Sequence, residues 1–247
     1  MNDLKRLSDL ANQAYRNNIF TFTNFLSEAE LSDFLQNEKD FRQVGYKLFG
    51  GYDDADRVMI RFNTENELGY EVPWPINILM IKPLSDKFSE ELTHRDFLGA
   101  LMNLGIERER LGDILIENNT GYLFVSDSLC DFIITNLLRI RHTPVVISVI
   151  DTLDKSFERK YVEKQLQVSS ERIDGIVAKF SNLSRSKCAE YFHDRKVFVN
   201  GRLMENHSHI LSKGDKVSVR GYGKFIYDGI SRKTRSDNLI IKIRVYS

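Results

Sequence analysis

SRSKCAEYFHDRKVFVNG, residues 184–201, reads as one helix, one short strand and a tight turn. Ser184 is a helix N-cap, because its hydroxyl can accept from the backbone N–H groups that the first helical turn leaves unpaired. Cys188, Ala189 and Phe192 make the buried face of a helix over Arg185–Arg195, and VFVNG is a strand running into an Asn-Gly turn. Arg185 and Lys187 stand in the first turn. Cations there oppose the helix dipole, so stability does not account for them. Beside free N–H groups they make a local anion site, and a nucleic-acid backbone supplies such an anion.

The flanking residues complete a compact unit. Upstream, VSSERIDGIVAKF, residues 168–180, is a helix with Ile173, Ile176, Val177 and Phe180 as its buried stripe. Downstream, Ile210, Leu211 and Gly214-Asp215 lead to the strand KVSVRG. The net charge of zero conceals an asymmetry: residues 168–247 carry 16 Lys and Arg against 8 Asp and Glu, and residues 1–167 carry 19 against 27. A basic end on an acidic body fits one end meeting a polyanion; a solvated basic surface has the same composition.

Residues 1–40 read as helices, with Leu4, Leu7, Leu10 and Ala14 at helical spacing and a Ser27/Glu30 capping box before SEAELSDFLQ. Val44–Phe49 and Val58–Phe62 read as a β-hairpin, with Gly50-Gly51 and the Asp cluster as a plain turn. EVPWP, residues 71–75, is a stiff connector and marks a domain boundary. Residues 76–150 then run β-α-β-β-α-β, with a Thr93/Asp96 capping box on the first helix and a turn at Asn118-Asn119. That order is the ferredoxin-like plan, which RNA-recognition motifs share. In its third strand Tyr122 and Phe124 alternate onto one face. Two readings stand: bases stack on the rings, or the rings pack under a neighbouring element. The strand has no leading cation and no small residue between the rings, which favours packing. Arg108 and Arg110 could touch phosphate, but an acidic neighbour beside each favours a self-paired loop. Residues 153–167 read as a charged linker helix.

The C-terminal segments carry a resemblance. R-I-D-x-x-V at 172–177, S-R-S-K-x-A at 184–189, K-V-x-V-N-G at 196–201 and L-x-x-G-D-x-V-x-V at 211–219 resemble the S-four-type RNA-binding domain, or alpha-L motif. That family often has Gly where Arg195 stands before the Lys-Val pair, so Arg195 either adds a phosphate contact or alters the turn. Together with HRDFLGALMNLGIERERLGDI and FGGYDDADR, the domain makes the chain similar to the YlmH family of bacterial RNA-binding proteins. The resemblance implies an α+β chain: an N-terminal helical and hairpin domain (1–72), a ferredoxin-like, RNA-recognition-motif-like domain (73–152), the linker helix, and an S-four-type domain (168–247). It implies binding of structured ribosomal RNA and tRNA on the large ribosomal subunit, in quality control of stalled translation. The matching positions are Ser184, Arg185, Lys187, Lys196, Asn200 and Arg202, with Arg220 and Lys224 on the following strand and turn and Arg195 at the point of departure; read from the residues alone, Tyr122, Phe124, Arg108 and Arg110 are the candidate second RNA surface.

Other classes find less support. Pseudouridine synthases, whose catalytic Asp lies in R-L-D, often carry S-four-type domains; here Arg202-Leu203 is followed by Met204, and Asp174 falls inside a helix of the RNA-binding pattern. No Gly-rich loop opens a βαβ unit, as a methyltransferase would need. His207-x-His209 is the closest histidine pair and has no Cys or carboxylate support for a metal. No catalytic residue, metal or cofactor is therefore expected. Cys130 and Cys188 lie far apart and read as reduced and buried, no apolar run reaches the roughly 18 residues of a membrane helix, and the chain reads as a cytoplasmic protein, monomeric when free. A protein scaffold linked to cell division is the remaining alternative, through the acidic first two domains.

Overall fold

The computed structural model describes residues 2–53, 55–85, 89–153, 161–235 and 237–246. The chain divides into two compact units, Met1–Glu30 with Asn37–Lys155, and Leu31–Gln36 with Ser156–Ser247. Helix and sheet occur in both, so the class is α+β.

The first unit begins with α1 (Asn2–Asn17), β1 (Thr21–Phe22), the start of α2 (Glu28–Gln36), β2 (Tyr46–Phe49), β3 (Met59–Phe62) and the short α3 (Glu65–Leu68). Leu7, Ala11 and Ala14 are the buried stripe of α1. The Ser27/Glu30 box closes as its spacing predicts: the Ser27 N–H donates to Glu30 Oε2 at 2.7 Å, and the Glu30 N–H donates to Ser27 Oγ at 3.4 Å. The hairpin pairs Tyr46 with Phe62 and Phe49 with Met59, and β1 adds to the far side of β3.

There follow β4 (Ile76–Pro83), α4 (His94–Asn103), β5 (Leu111–Glu117), β6 (Thr120–Ser126), α5 (Cys130–Asn136), β7 (Arg139–Ile140) and β8 (Thr143–Ile150). Their sheet has the order β5-β6-β4-β8-β7, all neighbours antiparallel. Two interleaved βαβ units produce this order over β5, β6, β4 and β8. Asn118 and Asn119 sit at φ 48° and 59°, the two left-handed residues of a tight hairpin turn. Helices α4 and α5 cover one face of the sheet, burying Leu79, Ile81, Phe97, Leu101, Leu123 and Ile133.

The opposite face holds a second cluster, in which Phe25 and Met59 from the N-terminal segment bury Ile78 and Phe124 of the sheet. A sheet with two apolar faces needs cover on both, and the N-terminal segment supplies the second layer, so residues 1–30 and 37–72 pack with this sheet in the first unit. Trp74, within the expected connector, packs on Phe22 and Phe49 with ring centroids 5.5 Å away in each case.

The second unit contains β9 (Tyr161–Val168), α6 (Ile173–Phe180), α7 (Arg185–His193), β10 (Val197–Val199), β11 (Arg202–Leu203), β12 (Lys216–Val219), β13 (Gly223–Lys233) and β14 (Leu239–Tyr246). A six-stranded sheet in the order β11-β10-β12-β13-β14-β9 packs against the two helices. Of the expected linker helix, residues 154–160 lie outside the described residues. Residues 161–167 are strand, not helix: Val168, Leu166 and Lys164 pair with Leu239, Ile241 and Ile243. The period there is two, and Leu166 and Val168 reach the core, which decides the conformation against a helical pattern with no stripe.

Candidate nucleic-acid interface

Helix α7 is set by its cap. Ser184 has extended dihedrals (φ −67°, ψ 157°), and its Oγ accepts the Lys187 N–H at 3.3 Å. Cys188 and Phe192 point into the core, which turns Arg185, Ser186 and Lys187 outward into solvent. No acidic residue stands in that first turn, and Arg185 and Lys187 make no ion pair among the described residues. The Cys188 thiol donates to the Asp174 carbonyl at 3.3 Å, and burial pushes its pKa up to about 11. It is a packing group.

Beside Arg185 lies a cleft of about 460 Å³, lined also by Ser169, Ser170, Arg172, Asp174 and His207. Arg172 meets Asp174 through Nε at 3.2 Å and Nη2 at 2.6 Å. This hydrogen bond holds the Asp174 carboxyl below its ordinary range and raises the Arg172 guanidinium. The two charges satisfy each other, which leaves Arg185 as the open cation of the cleft. Asp174, the carboxylate of the synthase-like Arg-Ile-Asp, therefore serves the start of α6; it also accepts the Gly175 N–H at 2.8 Å.

The other expected contacts divide by what already holds them. Arg195 occupies the left-handed region at φ 57°. Its N–H donates to the Phe192 carbonyl at 3.1 Å and the Lys196 N–H donates to the Tyr191 carbonyl at 3.0 Å, the paired bonds of a Schellman cap. The position is one glycine favours, which explains why Gly is frequent there in the resembling domains. The Arg195 side chain pairs with Asp33 at 3.4 Å, and Arg202 donates to the Leu35 carbonyl at 2.6 Å; both partners lie in Leu31–Gln36, part of this unit. Asn200 is engaged on both sides, donating to Asp215 at 2.8 Å and accepting the Lys216 N–H at 2.9 Å. It fixes the β10–β11 turn to the start of β12. Lys196 pairs with Asp194 at 2.8 Å, which raises its pKa, and lies 5.0 Å over the Tyr191 ring. Arg220 is exposed at the end of β12, 5.3 Å over the Phe198 ring, and Lys224 is half-buried on β13.

In the first unit the expected second surface is built into the structure. Phe124 is fully buried and stacks on Tyr52 at 4.8 Å, so it offers no face to a base. Tyr122 is half-buried, two residues away on β6. Arg108 donates to the carbonyls of Leu111 at 2.7 Å and Gly112 at 3.0 Å. Burial, then the neighbouring Arg57 charge, lowers its pKa to about 10. Arg110 is held by the hydroxyls of Ser126 and Ser128. The Gly50-Gly51 turn proves structural: Gly51 has φ 101°, and a Cβ there would lie 2.3 Å from the Phe124 ring. Sequence reading missed Asp113, the buried anchor of this loop. It accepts from Tyr52 Oη at 2.8 Å, the Asp56 N–H at 2.7 Å and the Arg57 N–H at 3.2 Å. No periodic signal separates this Asp, on β5, from the other carboxylates near it in the sequence.

At the basic end of this α+β chain, a capped helix start thus carries two cations that have no ion pair among the described residues, an arrangement open to an anion. Residues 71–154 match the family model described as "Putative RNA-binding domain in YlmH". The chain is 32% identical over 195 residues to the "Ribosome-associated protein quality control protein P2" of Bacillus subtilis (strain 168), covering 78% of this chain and 75% of that protein. Among solved structures it is similar to the "Cell division protein ylmH from Streptococcus pneumoniae", at 20% identity and a TM-score of 0.48, over 60% of this chain and 88% of that one. The chain belongs to the YlmH family.

Proposed function

We propose that the chain is a non-enzymatic RNA-binding protein that grips structured RNA through its second unit, acting on the large ribosomal subunit in quality control of stalled translation. The observation that carries this is the state of Arg185 and Lys187: exposed, without ion pairs among the described residues, and set against the dipole of a capped helix. Such cations have an energetic reason to be there only with an anion in place. The name of the Bacillus relative and the description of the matching family model support the ribosomal RNA setting.

Within this reading, α6, α7 and the strands from β10 to β12 are the S-four-type domain, and β4 to β8 are the ferredoxin-like domain. The contacts are to phosphate, so RNA shape selects the target rather than base sequence. The ligands are ribosomal RNA and tRNA, the free protein is a cytoplasmic monomer, and no cofactor takes part. Because Asn200 is engaged in its turn, its part is to position the loop, and Arg185, Lys187, Lys196, Arg220 and Lys224 carry the phosphate contacts.

The test is binding of the full chain to purified bacterial large ribosomal subunits across a salt series. About five phosphate contacts give a slope of log K against log salt of roughly −3.5 to −4.5. Arg185→Ala with Lys187→Ala lowers its magnitude by about 1.4 to 1.8 while the thermal midpoint stays in place. An unchanged slope in that variant refutes the assignment.

A further inference from the structure

The connection between β12 and β13 is three residues, Arg220, Gly221 and Tyr222, since Val219 pairs with Gly223. The Tyr222 N–H closes the turn on the Val219 carbonyl at 3.0 Å. Gly221 and Gly223 both have positive φ, at 85° and 106°, in the region that disfavours other residues. Two glycines thus fix a turn that carries a tyrosine between them. Tips of this kind ordinarily carry small polar residues, whereas this one carries Tyr222, 41% exposed as a residue.

The ring is held in place. It meets Tyr191 at 5.5 Å with an interplanar angle of 63°. Tyr191 packs against the core of the unit, so it is a firm support. Cations stand around the pair. Lys196 lies over Tyr191, and the Arg220 N–H donates to the Lys196 carbonyl at 2.9 Å, which brings both basic residues to the same end of the sheet. A rigid, half-open ring flanked by phosphate-binding side chains is the arrangement with which proteins hold unpaired bases. A base inside a duplex has no free face to offer; a bulged or loop nucleotide does.

We propose that Tyr222 is a stacking platform for a single unpaired nucleobase of a folded RNA, with the adjoining phosphates on Lys196 and Arg220. The inference rests on the RNA-binding reading above and adds to it the class of nucleotide recognised.

The experiment uses the full chain and two fluorescein-labelled RNA hairpins that differ by one bulged adenosine, compared by anisotropy at one salt concentration. The chain binds the bulged hairpin more tightly. Tyr222→Ala weakens that binding about 5- to 150-fold, the range for loss of one base–aromatic stack, and abolishes the preference. Tyr222→Phe keeps the preference, since the ring is retained. The salt slope of Tyr222→Ala stays that of the parent, in contrast to the Arg185/Lys187 variant. Binding of both hairpins without preference by the parent chain, or a preference that survives Tyr222→Ala, overturns the stacking role alone. Failure to bind either hairpin overturns the RNA-binding reading beneath it.

Discussion

Phe124→Ala decides whether the aromatic pair of β6 serves packing or RNA. Phe→Ala in a core costs about 3–5 kcal/mol. Phe124 belongs above the lower end, at about 3.5–4 kcal/mol, because its surroundings cannot collapse into the space. Gly51 and Gly112 bring backbone against it from two sides, and Phe25, Met59 and Ile78 are themselves buried. The offset stack with Tyr52 adds about 0.5–1.5 kcal/mol that the variant also loses. A loss of about 4–5 kcal/mol is therefore expected. Trp74 is the only tryptophan of the chain and sits in the first unit, so its fluorescence follows that unit in a urea titration. With a urea slope of about 2–3 kcal/mol per M, the midpoint falls by about 1.3–2.5 M. Affinity for the large subunit, measured below the transition, stays that of the parent. A midpoint within about 0.3 M of the parent together with weakened RNA binding would refute the packing role.

The left-handed Arg195 predicts that Arg195→Gly raises the thermal stability of the second unit by up to about 1 kcal/mol, relief of strain being partly offset by the freer unfolded chain. Calorimetry checks this, and a clear loss would mean that the pair with Asp33 outweighs the backbone. Asp113→Ala strands the N–H groups of Asp56 and Arg57 and costs about 2–4 kcal/mol. Hydrogen exchange at those two amides accelerates in this variant, and unaltered protection there would show that the loop holds without its anchor.

Local signals were the most legible in the sequence. The capping boxes at Ser27 and Thr93, the Asn118-Asn119 turn and the cap at Ser184 each depend on a few adjacent residues, and each forms as spacing predicts. What escaped depends on pairing between distant residues. YVEKQLQV becomes strand because β14 has an open edge beside it, and a charged eight-residue segment does not announce that edge. The packing of EVPWP has the same origin. Whether Pro and Trp connect two domains or plug one core depends on whether the sheet face behind them is covered, and the cover comes from Phe25 and Met59.

The interface shows the same division. Arg185 and Lys187 were readable because a cation in a first helical turn contradicts a rule that holds within one helix. Asn200, which matches the RNA-binding pattern equally well, is spent on Asp215 and Lys216, and only the closed sheet reveals this. Tyr222 is the converse. In sequence it is one of ten tyrosines, in a turn whose basic residues attract notice first. It acquires chemistry only when α7 brings Tyr191 to its edge and the start of β10 brings Lys196 beside Arg220. In the proposed reading a motif match locates the cations that attract RNA, while discrimination among RNAs falls to a side chain placed by packing. The two proposals are separable by measurement: the first predicts that the Arg185/Lys187 variant changes the salt slope, and the second that Tyr222→Ala removes the preference for an unpaired base at constant slope.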